Sequence, residues 1–220
     1  MKMNHLFRVL LIFSIFFTGC EENFPYEDLL DLSGSVYNEP DLEFVDLGLP
    51  SGIKWATRNF GATKAEEYGA YYAWGEVNIK ESYTSGNSLT YDNSSYNINI
   101  SGNMKYDVAS YRLKGTWRMP TEAEFSELVN NCVWEWMAVN GVNGYKVTSI
   151  ANGNSIFLPA AGYKNGSSCS NQGSEARYWS GTYRSIYYSS YSYCLVCGLG
   201  YYQVDIISRY YGCPIRPVCE

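Results

Sequence analysis

Histidine is almost absent from this chain, since His5 is the only one among 220 residues. It lies in a segment that we expect to be removed as a leader peptide, so the mature protein would have no imidazole. Ser-His-Asp triads, Cys-His pairs, histidine-ligated zinc or copper and histidine general bases all require one. The sequence therefore predicts that these sites, and with them most hydrolase mechanisms, are absent.

Glycine-rich phosphate-binding loops are also missing, because neither G-x-x-x-x-G-K-[ST] nor a G-x-G-x-x-G between strand and helix occurs. A basic surface for nucleic acid is unsupported as well. The whole chain has 16 Lys plus Arg against 22 Asp plus Glu, and from Lys54 onward the counts are 14 and 13. We therefore predict no cofactor, no metal site and no nucleic-acid partner.

Paired carboxylates are the groups that could still act as general acid and base, because a glycosidase needs only two carboxyl groups flanking the bond that it hydrolyses. Helix-surface and capping roles are the structural alternative for such residues. We predict no enzymatic activity and keep a carboxylate-based glycan hydrolase as an alternative. Its candidate residues are Glu66, Glu67, Glu76, Glu122, Glu124 and Glu127.

Long apolar runs are confined to the start of the chain. Lys2 and Arg8 precede an apolar run over residues 9–17, which Thr18, Gly19 and Cys20 follow. The run is shorter than the roughly 20 residues that span a bilayer, and small residues before a cysteine are typical of lipoprotein signal peptides. We predict a signal peptide over residues 1–19 and lipidation of Cys20 with palmitate-type chains that hold the protein to a membrane. An uncleaved anchor is the alternative.

Positive charge is missing between Cys20 and Lys54, where nine carboxylates occur. Residues 20–41 are therefore predicted to form an acidic, solvated tether, and residues 42–220 a globular domain. Glu21 and Glu22 resemble the acidic signal that sends Bacteroidetes-type lipoproteins to the outer cell surface. The predicted location is the outer membrane, lipid-anchored and exposed at the cell surface.

Short elements and turns dominate the first half of the predicted domain. The turn Leu49-Pro50-Ser51-Gly52 indicates a hairpin ending near Ala56. Thr63 and Glu66 form a possible capping box that predicts a short helix ending before Gly69. Residues 78–105 are rich in Ser, Asn, Gly and Tyr without a sustained period, which predicts a long surface excursion.

The second half has the strongest periodic signals. Thr121 and Glu124 form a capping box ahead of apolar residues spaced i, i+3, i+4 and i+7, which predicts a helix. Residues 145–149 and 155–159 flank Asn152-Gly153, which predicts a hairpin, and short aromatic strands are predicted from Tyr178 onward. Few helices and many short antiparallel strands predict an α+β fold. The apolar helix positions are Phe125, Leu128, Val129 and Cys132.

Six blocks follow one another between residues 44 and 218: V-D-L-G-L-P-S-G-I-K-W-A-T, E-Y-G-A-Y-Y-A-W-G-E, W-R-M-P-T-E-A-E-F, N-G-V-N-G-Y-K-V-T-S, N-S-I-F-L-P-A-A-G and Y-Y-G-C-P-I-R-P-V. Together they resemble the Fibrobacter succinogenes major paralogous domain. That resemblance implies a C-type-lectin-like fold of the formylglycine-generating-enzyme-like branch, with two short helices and many short strands. It implies a secreted or surface lipoprotein of gut Bacteroidetes and no shared enzymatic activity.

Carried over to this chain, the resemblance implies a core framework of four tryptophans and residues 156–161. The calcium-dependent sugar-binding motifs of true C-type lectins, E-P-N or Q-P-D with W-N-D, do not occur here. The reactive cysteine pair of formylglycine-generating enzymes is not matched either. Neither activity is therefore implied. The four tryptophans are Trp55, Trp74, Trp117 and Trp179.

Cysteine is plentiful for a chain of this size. Besides Cys20 there are six, an even number in an exported protein, so we predict disulfides without choosing among the 15 possible pairings. Cys194-Leu195-Val196-Cys197 has the C-x-x-C spacing of zinc and redox sites, which are the alternatives for that pair. The disulfide candidates are Cys132, Cys169, Cys194, Cys197, Cys213 and Cys219.

Tyrosine is concentrated toward the C-terminus, where ten of the 22 lie between Tyr178 and Tyr211 among Ser and Gly. Tyrosine offers contact area and a hydroxyl at low rotamer cost, which favours a recognition surface, whereas strand packing is the structural alternative. We predict a surface adhesion domain that binds a glycan or protein through this face. A subunit of a surface fibre is a further alternative. The predicted ligand-binding residues are Trp179, Tyr183, Arg184, Tyr187, Tyr188, Tyr191 and Tyr193.

Overall fold

The computed structural model describes residues 42–113 and 115–220. The predicted signal peptide, Cys20 and the predicted tether lie outside these residues. Two α-helices and eleven strands occur in the described part. The helices are α1, Val108–Arg112, and α2, Glu122–Asn131. The strands are β1, Phe44–Asp46; β2, Lys54–Ala56; β3, Cys132–Val139; β4, Val142–Ser149; β5, Ser155–Pro159; β6, Tyr163–Asn165; β7, Ser168–Ser170; β8, Glu175–Tyr183; β9, Tyr191–Gly198; β10, Tyr201–Ser208; and β11, Val218–Cys219.

The strands form four small sheets, and every pairing between named strands is antiparallel. Their orders are β1-β2-β11, β10-β9-β8, β3-β4-β5 and β6-β7. The last strand, β11, therefore lies beside β2 and in the same sheet as β1, so the two ends of the described chain meet in one sheet. Short antiparallel strands with two helices confirm the predicted α+β class.

In the sheet β10-β9-β8, strands β8 and β9 are buried on both faces over most of their length and separate two hydrophobic cores, whereas β10 is largely exposed. Successive residues of β9 point to opposite faces, as in any strand. Leu195 and Cys197 lie in one core with Trp55 and Phe125. Cys194 and Val196 lie in the other core, with Trp74, Trp179 and Ile207. Each side chain of residues 194–197 must therefore fit one core or the other.

Helix α2 begins where the capping box predicts. The Thr121 hydroxyl accepts the Glu124 N–H, and the Glu124 carboxylate accepts the Thr121 N–H at 2.7 Å. Glu124 is also held by Arg118 through two bonds, of 2.6 and 2.9 Å. The buried helix face carries Phe125 and Leu128, which confirms the predicted apolar stripe.

Both predicted hairpins are present, and the long excursion is confirmed as irregular. Strands β1 and β2 pair around the Leu49–Gly52 turn, and β4 and β5 pair around Asn152-Gly153. Residues 78–105 contain only two short 3-10 turns. The chain nevertheless passes through the core there, because Tyr83, Thr90 and Ile100 are buried.

Three expectations are wrong. Residues 63–69 form turns rather than a helix, because Glu67, and not Glu66, accepts the Thr63 and Lys64 N–H groups. The apolar spacing predicts that Cys132 lies on the helix, whereas α2 ends at Asn131 and Cys132 is the first residue of strand β3. Trp117 is only half-buried, whereas Trp55, Trp74 and Trp179 are fully buried as expected.

In the part of the chain that the structure covers, no helix has both the length and the apolar character needed to traverse a membrane.

The ion pair that anchors α2 predicts a pH dependence of stability. Burial alone would raise the pKa of Glu124, but the bonds from Arg118 and Thr121 outweigh it and lower the pKa below its ordinary value. A carboxyl group with a lowered folded-state pKa stabilises the fold above its unfolded pKa, and this stability is lost as the pH falls through the folded value.

We expect Glu124→Gln to lower the free energy of unfolding at pH 7 by about 1.5–3 kcal/mol, because two charged hydrogen bonds are weakened. The difference from the wild type should shrink as the pH falls below about 4.5, the ordinary pKa of a glutamate. Urea unfolding at pH 7 and at pH 3 measures both. An equal difference at the two pH values would contradict the assignment.

Candidate functional site

Six of the seven predicted ligand-binding residues lie together at one end of the sheet β10-β9-β8. They flank and form the loop of residues 184–190, which joins β8 to β9. Tyr187 is 85% exposed and Tyr188 51% exposed, and Ile186 and Tyr191 are exposed beside them. We call this group the tyrosine surface. It consists of Tyr183, Arg184, Ile186, Tyr187, Tyr188, Tyr191 and Tyr193.

Trp179 does not belong to this surface, which corrects the prediction. Its side chain is fully buried in the core on the Cys194 side of the sheet, and its indole N–H donates to the Tyr72 carbonyl oxygen at 2.8 Å. A side chain with no exposed area cannot contact a ligand at the surface. Tyr178, on the opposite face of β8, is likewise buried, and it donates to the Pro159 carbonyl oxygen.

Arg184 organises the centre of the tyrosine surface. Its guanidinium lies 5.5 Å from the centre of the Tyr188 ring and 5.7 Å from that of Tyr193. One of its N–H groups also donates to the Tyr193 hydroxyl at 3.2 Å. Cation–π contacts of this kind hold both partners in place. The arginine therefore orders two tyrosine rings of the surface and remains partly exposed itself.

A fully buried arginine, Arg209, supports this loop from the core side. Its N–H groups donate to the Tyr191 carbonyl oxygen, the Ser192 hydroxyl and the Thr90 carbonyl oxygen, and to Asn97 Oδ1 at 3.0 Å. The guanidinium lies over the Trp74 ring, 4.5 Å from its centre. Burial lowers the pKa of Arg209 to about 10. One side chain thus connects strand β9 to the irregular stretch before α1.

Asp92 also holds this loop in place, and nothing in the sequence predicted that role. Its carboxylate accepts from the Ser189 and Ser190 hydroxyls at 3.5 and 3.4 Å. The neighbouring Tyr91 packs edge-on against Tyr210, with ring centres 5.1 Å apart. Residues 91–97 come from the Ser-, Asn- and Tyr-rich excursion, whose composition indicated exposure and nothing about this contact.

Aromatic packing continues away from the loop through a row of half-buried rings. Tyr210 packs against Tyr211, and Tyr211 packs against Tyr163 with ring centres 5.0 Å apart. Arg177 covers the Tyr163 ring at 4.1 Å. This row was also missed, because it joins residues from three separate segments that only the tertiary structure brings together.

The six candidate carboxylates of the hydrolase alternative are each engaged by a protein group. The general acid of a glycosidase needs a raised pKa, whereas a hydrogen bond from Asn140 lowers the pKa of Glu66, and the pKa of Glu124 is also lowered. The hydrolase alternative stays an untested prediction. The contacts are Glu66 with Asn140, Glu67 with Thr63, Glu76 with Lys80 and the Leu89 N–H, Glu122 with Ser126, Glu124 with Arg118, and Glu127 with the Ser51 N–H.

None of the six described cysteines forms a disulfide in this structure, so the disulfide prediction gains no support from it. Cys194 and Cys197 point to opposite faces of the sheet and enter different cores. They therefore cannot bind one zinc ion or close a C-x-x-C disulfide, which rules out both alternatives for that pair. Burial raises the pKa of Cys197 to about 12 and that of Cys194 further.

Across residues 42–113 and 115–220, no cluster of three or more His, Cys, Asp or Glu side chains could hold a metal ion. No protein family, curated protein or solved structure matches this chain. The resemblance to the Fibrobacter succinogenes major paralogous domain therefore remains a prediction.

The two arginines with no exposed area among the described residues, Arg209 and Arg216, allow a matched test of the loop support. Arg216 resembles Arg209 in donating to neutral oxygens, but it does so elsewhere, to Asn59, Ala56 and Phe157. We expect Arg209→Met and Arg216→Met each to cost about 2–3 kcal/mol in urea unfolding, because buried acceptors lose their donors.

Only Arg209→Met should loosen the tyrosine surface. Limited proteolysis under native conditions, with the cleavage sites mapped by mass spectrometry, should show faster cutting within residues 184–190 in that variant alone. Equal cutting in the Arg216→Met protein would mean that Arg209 has no special role in supporting the loop.

Thiol reactivity tests the state of the cysteines. Cys169 is only half-buried, whereas the other five are buried. We expect iodoacetamide to modify Cys169 first in the native protein and the remaining five only after unfolding. The readout is peptide mass spectrometry without reductant. Cysteines that stay unmodified in denaturant until a reductant is added would instead show the disulfides predicted from composition.

Proposed function

We propose that this protein is a lipid-anchored, cell-surface adhesion protein whose domain binds a glycan through the tyrosine surface and catalyses no reaction. One observation carries the proposal. Four exposed side chains, those of Ile186, Tyr187, Tyr188 and Tyr191, lie within six residues, in the loop of residues 184–190 and at the start of β9, where Arg209 and Asp92 hold the chain in place. Exposed apolar patches with polar rims mark binding sites.

The polar rim favours a glycan as the ligand. Tyr187 and Tyr188 offer flat rings and hydroxyls, and Ser189, Asn97 and Arg184 supply hydrogen-bonding groups beside them. A sugar ring has apolar C–H faces and a rim of hydroxyls, so it stacks on an aromatic ring and hydrogen-bonds at its edge. A protein partner usually covers roughly 20–30 residues a side, more than this loop presents.

We further propose that the α+β domain has the C-type-lectin-like fold that the six sequence blocks imply. Support comes from where those blocks lie. The first covers the hairpin of β1 and β2, the third leads into α2, and the last ends in β11 beside β2. The blocks therefore form the framework of the domain, whereas the tyrosine surface lies outside them.

Truncation of the exposed tyrosines tests the proposed binding site. We expect Tyr187→Ala and Tyr188→Ala each to weaken binding to hits on a glycan array about tenfold, because exposed aromatic anchors carry much of the binding energy. The melting temperature should not change, since both rings are exposed. Array binding, repeated by calorimetry on the best hit, gives the measurement.

Tyr111→Ala is the matched control, because Tyr111 is 48% exposed and also lies beside an arginine, but on helix α1. Its affinity should equal that of the wild type. Array hits that neither tyrosine variant weakens would place the glycan site elsewhere, and a blank array with a captured protein partner would replace the glycan with a protein ligand.

A further inference from the structure

The charges around the tyrosine surface do not balance. Arg184 forms no ion pair with a carboxylate of any described residue, and its one recorded polar partner is the neutral Tyr193 hydroxyl. By contrast, the partly buried Arg118 and Arg177 are paired with Glu124 and Glu175. A guanidinium carries five N–H donors, so Arg184 retains donors for a further partner.

Arg209 adds a second uncompensated positive charge beneath the same surface. Its recorded acceptors are two carbonyl oxygens, a hydroxyl and an amide oxygen, all of them neutral. It also forms no ion pair within the described residues. Because a charge inside the protein is screened less than one in water, its field reaches the nearby loop.

Two acidic residues lie beside this surface, and both carboxylates already accept hydrogen bonds. The Glu122 N–H donates to Thr182, and the Glu122 carboxylate accepts from Ser126. The other residue is Asp92. It accepts from the Ser189 and Ser190 hydroxyls and makes no contact of ion-pair length with Arg184 or Arg209. Neither arginine has a carboxylate partner among the described residues, so Arg184 presents an unpaired positive charge at the tyrosine surface although the whole chain carries a net charge of -6.

We infer that the tyrosine surface selects an anionic glycan, and that Arg184 binds its carboxylate or sulfate group while the tyrosine rings stack on the sugar. This inference rests on the proposed function and adds the chemical class of the ligand. A planar guanidinium can bind either oxyanion through two parallel hydrogen bonds. Tyr188 and Tyr193 hold the guanidinium in position before the ligand arrives.

The test uses pairs of polymers that share a backbone and differ in whether they carry charged groups. The purified full chain is titrated by calorimetry with dextran sulfate and dextran, and with polygalacturonate and its methyl ester. We expect at least one charged polymer to bind about tenfold or more tightly than its neutral counterpart. The two pairs distinguish a sulfate ligand from a carboxylate ligand.

The variants assign that preference to a residue. Arg184→Gln should remove most of the preference for the charged polymer, and Arg184→Lys should restore part of it. Asp92→Asn should strengthen binding of the charged polymer, because a repelling carboxylate is lost. Arg112→Gln is the matched control, since Arg112 also lies over a tyrosine ring, 4.9 Å from its centre, and it should change nothing.

The experiments distinguish failure of the anionic-glycan inference from failure of the proposed function. Equal binding of charged and neutral polymers, or a preference that Arg184→Gln leaves intact, would overturn the anionic class. If Tyr187→Ala still weakened binding in that case, the proposed function would stand. If no polymer bound the wild type, the anionic inference would fail, and a blank glycan array would then overturn the proposed function as well.

Discussion

Strand β9 buries both of its faces, and much of the molecule follows from that. Alternate residues enter two different cores, so each must be small or apolar enough for its own side. The same alternation separates Cys194 from Cys197 and sends Tyr178 and Trp179 of β8 in opposite directions. Aromatic residues in the middle of this sheet are therefore structural. Beyond β8, where the chain leaves the sheet, the tyrosines of residues 184–190 become exposed.

Buried arginines help to hold the irregular stretches, in addition to the backbone hydrogen bonds that these stretches form. Carbonyl groups in long loops need donors when they are buried. Arg209 supplies several at once to two distant segments, and Arg216 does the same for Ala56 and Phe157. Burial without a carboxylate costs free energy, which is seen in the lowered pKa of both arginines. At the tyrosine surface the same arrangement leaves positive charge close to the proposed ligand site.

Local signals were predicted well because their causes are local. The capping box at Thr121, the apolar spacing of α2 and the Asn152-Gly153 turn each involve residues a few positions apart. The expected helix after Thr63 failed because Glu67 satisfies the N–H groups in a turn instead. Strand β3 was not predicted, because it begins at Cys132, the last position of the apolar spacing that predicts α2. The resemblance predicts that Trp179 is buried, whereas the tyrosine-rich composition around it predicts a ligand contact, and burial is what the structure shows.

The sequence by itself determined the α+β class, the absence of imidazole chemistry in the predicted mature chain and the concentration of tyrosine toward the C-terminus. Composition and short-range spacing carry that information. Only the tertiary structure decided which tyrosines are exposed, that Arg184 lies between Tyr188 and Tyr193, and that Asp92 and Arg209 support the loop between β8 and β9. The physical reason is that Asp92 contacts Ser190, and Arg209 contacts Thr90, across 98 and 119 positions of the chain, for which no periodic pattern exists. The Arg184 contacts are closer in sequence, but they form in an irregular loop that has no periodic pattern either.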